Sequence, residues 1–260
     1  MPRNKKRPPV VMIHGAFCGP WAFDDFRLPF EEAGFGVHAP LLRHHGHGHN
    51  PPPALGQTSL LDYAHDLAGF IATLPEPPVL VGHSLGGLLA QMLAARGLAR
   101  ALVLLAPSAP WGVLPSTLFE LASSQTLLFA QGDYRGSVIR PSYRIASAHS
   151  LDRLGQAERN AAYARFVPES GQATFEVMHW SFDHRRASRV PAHDVGCAVL
   201  CLVGSEDRIN PPSTVKRVAQ RLNGRATFEE LAGMSHWLIG EPGWAGIARK
   251  AVAWLEERAP

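Results

Sequence analysis

Four apolar residues in a row, Val10, Val11, Met12 and Ile13, end abruptly at His14 and Gly15. A short β-branched run without polar alternation marks a strand covered on both faces. Residues 21–33 then alternate apolar and acidic positions at helical spacing as far as Gly34, and 35–39 reads as a second strand before Pro40. After a His-, Gly- and Pro-rich loop over 41–57, residues 58–74 form an amphipathic pattern. Ser59 is a suitable N-cap with Asp62 three residues on, and Pro75 is the stop. Val79, Leu80 and Val81 make a strand that turns through 82–87 into a helix over 88–96, and 101–106 is the next strand, closed by Pro107. The alternation resumes with a strand over 198–203, a helix over 211–222 and a strand over 226–231. A closing helix from Gly243 to about Arg258 carries Trp244, Ile247, Val252 and Leu255 as its apolar positions.

Strands separated by helices predict an α/β fold: a mostly parallel sheet of about six strands with helices on both faces. Its ligand site is expected at the carboxyl ends of the strands. Between 111 and 194 the alternation stops and no clear strand is visible. Helical stretches over 116–130, 150–166 and 172–180 are punctuated by Pro141, Pro168 and Pro191. The expected organisation is a basic tail over 1–8, a core made of 9–110 and 195–260, and a helical lid over 111–194. No internal repeat is visible.

Composition narrows the class. With 260 residues, 46% of them hydrophobic and 18% charged, the chain is too apolar for a disordered protein and long enough for one substantial core. The net charge of +3 is a local matter: Arg3, Lys5, Lys6 and Arg7 lie in the tail, leaving 21 basic against 22 acidic residues. A near-neutral body offers no basic face for nucleic acid. Cys18, Cys197 and Cys201 do not form a disulfide framework, because the last two, on one strand, would stand roughly 13 Å apart. A cytoplasmic setting is expected, and no run of about 20 apolar residues is present to span a membrane.

The sharpest chemical signal is Gly82-His83-Ser84-Leu85-Gly86, between an apolar strand and an Ala/Leu-rich helix. A serine on so sharp a turn crowds the positions two before and two after, and a missing Cβ relieves both. A serine hydroxyl is a weak nucleophile that needs a base and a group to orient that base. In the chain order Ser, acid, His, the acid is sought after the strand over 198–203, where Gly204-Ser205-Glu206-Asp207 follows. The histidine is sought near the C-terminus, where Gly233-Met234-Ser235-His236-Trp237 follows the last strand.

By these motifs the chain resembles the α/β-hydrolase superfamily, and within it the lid-bearing group of esterases, lipases and C–C bond hydrolases. The likeness covers 10–100 and 197–255. It implies Ser84 as nucleophile, His236 as general base and later acid, and Asp207 as the carboxylate orienting the imidazole. The family spacing, a Gly three before the acid and a Pro four after it, favours Asp207 over Glu206. His14-Gly15 matches the family's oxyanion loop, which implies the backbone N–H groups of Ala16 or Phe17, together with Leu85, as oxyanion donors. The resemblance implies no cofactor and no metal. Enzymes of this fold that break carbon–halogen or epoxide bonds carry Asp where Ser84 stands.

His44, His45, His47 and His49 crowd one loop, and the family's Gly-His-Gly loop there makes a surface loop the expectation rather than a metal site. His14 is expected to orient the oxyanion loop, and His83 to pack beside the nucleophile. The pocket is expected to be lined by Cys18, His83, Trp111, Phe119, Trp180 and Trp237, apolar enough for an acyl or aromatic group. Arg135, Arg140, Arg144, Arg185 and Arg186 are expected on the lid's solvated surface. The expected activity is serine carboxylesterase action on a small, largely apolar ester through an acyl-enzyme. Lactone, thioester and C–C bond hydrolysis are the alternatives, with a cofactor-free perhydrolase or a non-catalytic small-molecule receptor behind them.

Overall fold

In the computed structural model, which describes residues 7–117, 120, 133–222 and 224–258, a six-stranded parallel sheet forms the centre. Its strands are β1 (Val10–Ile13), β2 (Val37–His38), β3 (Val79–His83), β4 (Ala101–Leu105), β7 (Ala198–Gly204) and β8 (Ala226–Leu231). They lie in the order β2-β1-β3-β4-β7-β8. Every residue of β1, β3 and β4 is buried, as runs without polar alternation require. The pleat sends Val10, Met12, Val79, Val81, Val103, Leu105, Leu200 and Leu202 to one face, and Val11, Ile13, Leu80, Leu102, Leu104, Cys201 and Val203 to the other.

On the first face lie α1 (Leu28–Glu32), the aromatic residues Phe23, Phe26 and Phe30, and α8 (Trp244–Arg258), which contributes Ile247, Ala248, Ala251 and Leu255. On the second lie α2 (Leu60–Ile71), α3 (Leu85–Ala94) and α7 (Pro212–Gln220). Ser59 caps α2 in a full capping box with Asp62. The chain leaves β1 towards β2 on one side and returns to β3 on the other. This reversal of strand order opens the crevice where ligands of parallel sheets bind.

Two local departures from the sequence pattern stand out. The stretch 21–33 is not one helix, because Pro29 has no N–H to continue a preceding helix and instead opens a new one. A 3-10 turn (Pro20–Phe23) and the short α1 result. The helix after β3 begins at Leu85, directly after Ser84, rather than at residue 88.

Within the inserted segment, α4 (Tyr143–His149), α5 (Gln156–Ala164) and α6 (Gly171–Met178) are joined by a small antiparallel pair, β5 (Val138–Ile139) and β6 (Glu169–Ser170). The pair is only two residues long on each side, too short to leave an alternating pattern. Most of the helix expected over 116–130 lies outside the described residues.

Candidate active site

A parallel sheet ends all its strands on the same edge, and there the structure gathers the loops carrying the chemical residues. Ser84 follows β3 with φ 53° and ψ −119°, a strained conformation for a residue with a side chain. The surrounding glycines make it feasible. A Cβ on Gly82 would lie 2.4 Å from the carbonyl oxygen of Gly86, and one on Gly86 would lie 2.0 Å from that of Ile13. The turn is therefore pressed against the end of β1. A Cβ on Gly15 would come 3.1 Å from that of Ser84, so the loop after β1 passes directly beside the serine.

His236 and Asp207 meet across two laced loops. The N–H of Ser205 donates to the Leu231 carbonyl and that of Glu206 to the Met234 carbonyl, both at 2.9 Å. A Cβ on Gly204 would fall 2.3 Å from the Met234 oxygen, so glycine is required for the loops to approach. Asp207 is buried. Its Oδ2 accepts from His236 Nδ1 at 2.8 Å, and its Oδ1 accepts the N–H groups of Ile209 and Asn210 at 2.8 and 2.9 Å. With its Nδ1 hydrogen committed, His236 keeps the Nε2 lone pair as its basic site. Glu206 instead points outward and pairs with Arg153 at 3.2 Å.

His83 links the Ser84 turn to the loop that carries His236. Its Nε2 donates to the His236 carbonyl at 2.9 Å, and the two rings lie 4.9 Å apart. Burial, with His236 beside it, lowers its pKa to about 3, so the ring is a neutral strut. Burial, with His45 beside it, likewise lowers the His14 pKa to about 3. Its Nδ1 donates to the Gly15 carbonyl at 2.9 Å and its Nε2 accepts the Leu42 N–H at 3.3 Å. The loop after β1 is thereby fastened to the loop after β2.

The remaining residues singled out from sequence are spread over several places. Leu85 opens α3, and Ala16 and Phe17 continue the loop after Gly15, but the Phe17 N–H is directed at Glu169 Oε2, 3.4 Å away. Cys18 is buried in the core cluster, with burial pushing its thiol pKa up; a thiol so held is a poor nucleophile. Trp237 stands edge-on to His83 at 5.6 Å and packs near Trp21 and Phe166. Trp111 and Trp180 meet edge to face at 5.4 Å, with Arg186 over Trp111. Phe119 lies outside the described residues.

The His-rich loop differs from the expected surface loop at one position. His44, His47 and His49 lie near the surface, whereas His45 is buried and its Nε2 faces Glu169 Oε2 at 3.1 Å. Among the described residues, no group of three or more His, Cys, Asp or Glu is placed to hold a metal ion. Glu169 carries no recognisable motif in the sequence. Of the inserted arginines, Arg135 pairs with Asp133 and covers Phe175, while Arg140 donates to the His49 carbonyl.

The family model described as "Alpha/beta hydrolase family" matches residues 10–246. The chain belongs to this family. Among solved structures it is similar to a monoacylglycerol lipase from Paleococcus ferrophilus, at 26% identity over 97% of this chain and 95% of that one, with a TM-score of 0.69. Two more distant neighbours share the fold. Tomato methylketone synthase I, complexed with 2-tridecanone, is 18% identical over 97% and 99% of the two chains (TM-score 0.72). A thermophilic esterase from Thermogutta terrifontis is 20% identical over 98% and 92% (TM-score 0.71). No curated protein matches. Among the described residues, no helix of this α/β hydrolase is long and apolar enough to cross a membrane.

Proposed function

We propose that this α/β hydrolase is a serine carboxylesterase acting on small, largely apolar esters. The observation that carries the reading is the buried Asp207–His236 pair at 2.8 Å, on the same sheet edge as a serine held at φ 53°. Ser84 Oγ attacks the ester carbonyl carbon while His236 Nε2 takes its proton. The carbonyl oxygen becomes an oxyanion facing the N–H groups of Ala16 and Leu85. As the tetrahedral centre collapses, His236 returns the proton to the leaving alkoxide, and the alcohol departs from the acyl-enzyme. Water then attacks the acyl carbon with His236 as base, releasing the acid and restoring Ser84.

Kinship in fold to a monoacylglycerol lipase and to esterases supports an ester as substrate. The inserted segment, read as a cap over residues 111–194, supports an apolar one, because Trp111, Trp180, Tyr134 and Phe175 form its aromatic contacts. The Phe17 N–H, directed at Glu169, favours Ala16 as the loop's oxyanion donor.

The test is labelling by a fluorophosphonate together with turnover of short-chain aryl esters. Labelling at Ser84 and turnover, both abolished in Ser84→Ala, are expected. Turnover that survives in Ser84→Ala, or a wild-type protein inert to both reagents, would refute the reading.

A further inference from the structure

Phe17 is one of the few non-glycine residues with a left-handed backbone, φ 63°, and the inserted segment holds both of its backbone polar groups. Its carbonyl accepts the Val167 N–H at 2.8 Å, and its N–H points to Glu169 Oε2 at 3.4 Å. Glu169 is buried and held on every side. Oε1 accepts Tyr63 Oη and the Ser170 N–H, both at 2.7 Å, and Oε2 faces His45 Nε2 at 3.1 Å.

The partners of His45 determine its charge. Nδ1 faces the Arg43 carbonyl at 3.1 Å and Nε2 the carboxylate; both are acceptors, so both ring nitrogens carry hydrogen and the ring is an imidazolium. Burial works against the charge on each partner, but the pairing keeps His45 above and Glu169 below its ordinary pKa. An ion pair removed from water is costly to maintain and is no stability device by default. This one joins four separate pieces of chain at one residue of the loop beside Ser84.

We propose that Glu169, charged and held by His45 and Tyr63, is a positioning residue for the oxyanion loop: it takes up the Phe17 N–H, fixes the loop's left-handed turn, and leaves the Ala16 N–H for the oxyanion. The inference rests on the serine-esterase reading. It makes the inserted segment part of the catalytic geometry as well as a cover.

Glu169→Gln tests it with almost no change of shape. A glutamine presents one oxygen, so it satisfies either the Phe17 or the Ser170 N–H and turns its NH2 on the other. The kcat for aryl ester hydrolysis is expected to fall about tenfold in Glu169→Gln, and about a hundredfold in Glu169→Ala, the scale of a displaced oxyanion donor. KM should stay within about twofold. Affinity for a trifluoromethyl ketone, which forms an oxyanion on Ser84, should fall in step with kcat, while affinity for the product acid should not.

Folding is checked by circular dichroism. Tyr63→Phe, which removes one hydrogen bond and leaves the carboxylate, serves if the Glu169 variants do not fold; it is expected to lower kcat a few-fold. A folded Glu169→Gln with unchanged kcat, a loss confined to KM, or, in that fallback, a Tyr63→Phe with unchanged kcat would overturn the proposal. Wild-type protein that neither turns over esters nor reacts with fluorophosphonate would overturn the esterase reading itself, a distinguishable result.

Discussion

Replacing Asp207 by asparagine separates the roles of two adjacent acids. In the wild type, Oδ1 accepts two backbone N–H groups at 2.8 and 2.9 Å and Oδ2 accepts from His236 Nδ1 at 2.8 Å. Asparagine has one acceptor oxygen. The two backbone donors are fixed by the loop, so the oxygen stays with them and the NH2 group faces Nδ1. Nδ1 must then accept, which places the ring hydrogen on Nε2 and removes the lone pair that, in the proposed mechanism, takes the Ser84 proton. The same tautomer reversal in serine proteases lowers kcat by about 10⁴, equivalent to about 5 kcal/mol of transition-state stabilisation. Glu206→Gln breaks only an exposed pair with Arg153 at 3.2 Å, an interaction of about 0–1 kcal/mol in stability, and kcat should stay within about twofold. Initial rates on an aryl ester, with fluorophosphonate labelling rates as a turnover-independent readout, decide the matter. An Asp207→Asn enzyme within about tenfold of wild type, or a Glu206→Gln enzyme reduced a thousandfold, would refute the reasoning.

Other expectations concern the scaffold. Gly86→Ala places a Cβ 2.0 Å from the Ile13 oxygen and 2.7 Å from that of His14; both are backbone atoms, so the loop after β1 must shift. A loss of about 3 kcal/mol in urea unfolding is expected, together with near-complete loss of the proposed esterase activity. Ser59→Ala removes the acceptor for the Leu61 N–H and a donor to the buried Glu176 carboxylate, which should cost about 2 kcal/mol. Burial raises the Glu241 pKa to about 7 from 4.5. The folded state therefore holds a proton that the unfolded state releases, and this stabilisation, present below about pH 4.5, is lost as pH rises to about 7. It amounts to about 3 kcal/mol at most. Melting temperatures followed from pH 5 to 8 should fall less steeply in Glu241→Gln than in the wild type.

What is legible in the sequence is what short-range constraints encode. The strands β1, β3 and β4 are readable because full burial demands unbroken apolar runs, and their order of appearance, alternating with helices, dictates parallel pairing. Ser84 is readable because the strain at that residue forces glycine at fixed neighbouring positions. Asp207 and Glu206 are harder to separate from residue type alone, since both follow β7 within reach. The backbone decides: the Glu206 N–H is tied to the Met234 carbonyl, its side chain turns to Arg153, and the next residue faces the imidazole.

The Glu169 cluster leaves no such trace. His45 and Glu169 are 124 residues apart and Tyr63 and Glu169 are 106 apart. Nothing local to any of them is strained into a motif. A histidine among four in a polar loop looks solvated until a carboxylate from a distant two-residue strand reaches it. The chemistry closest to Ser84 is written in local spacing, because a turn must be built there. The contacts that hold the neighbouring loop in shape follow from the tertiary fold, and only the folded arrangement brings their charges together.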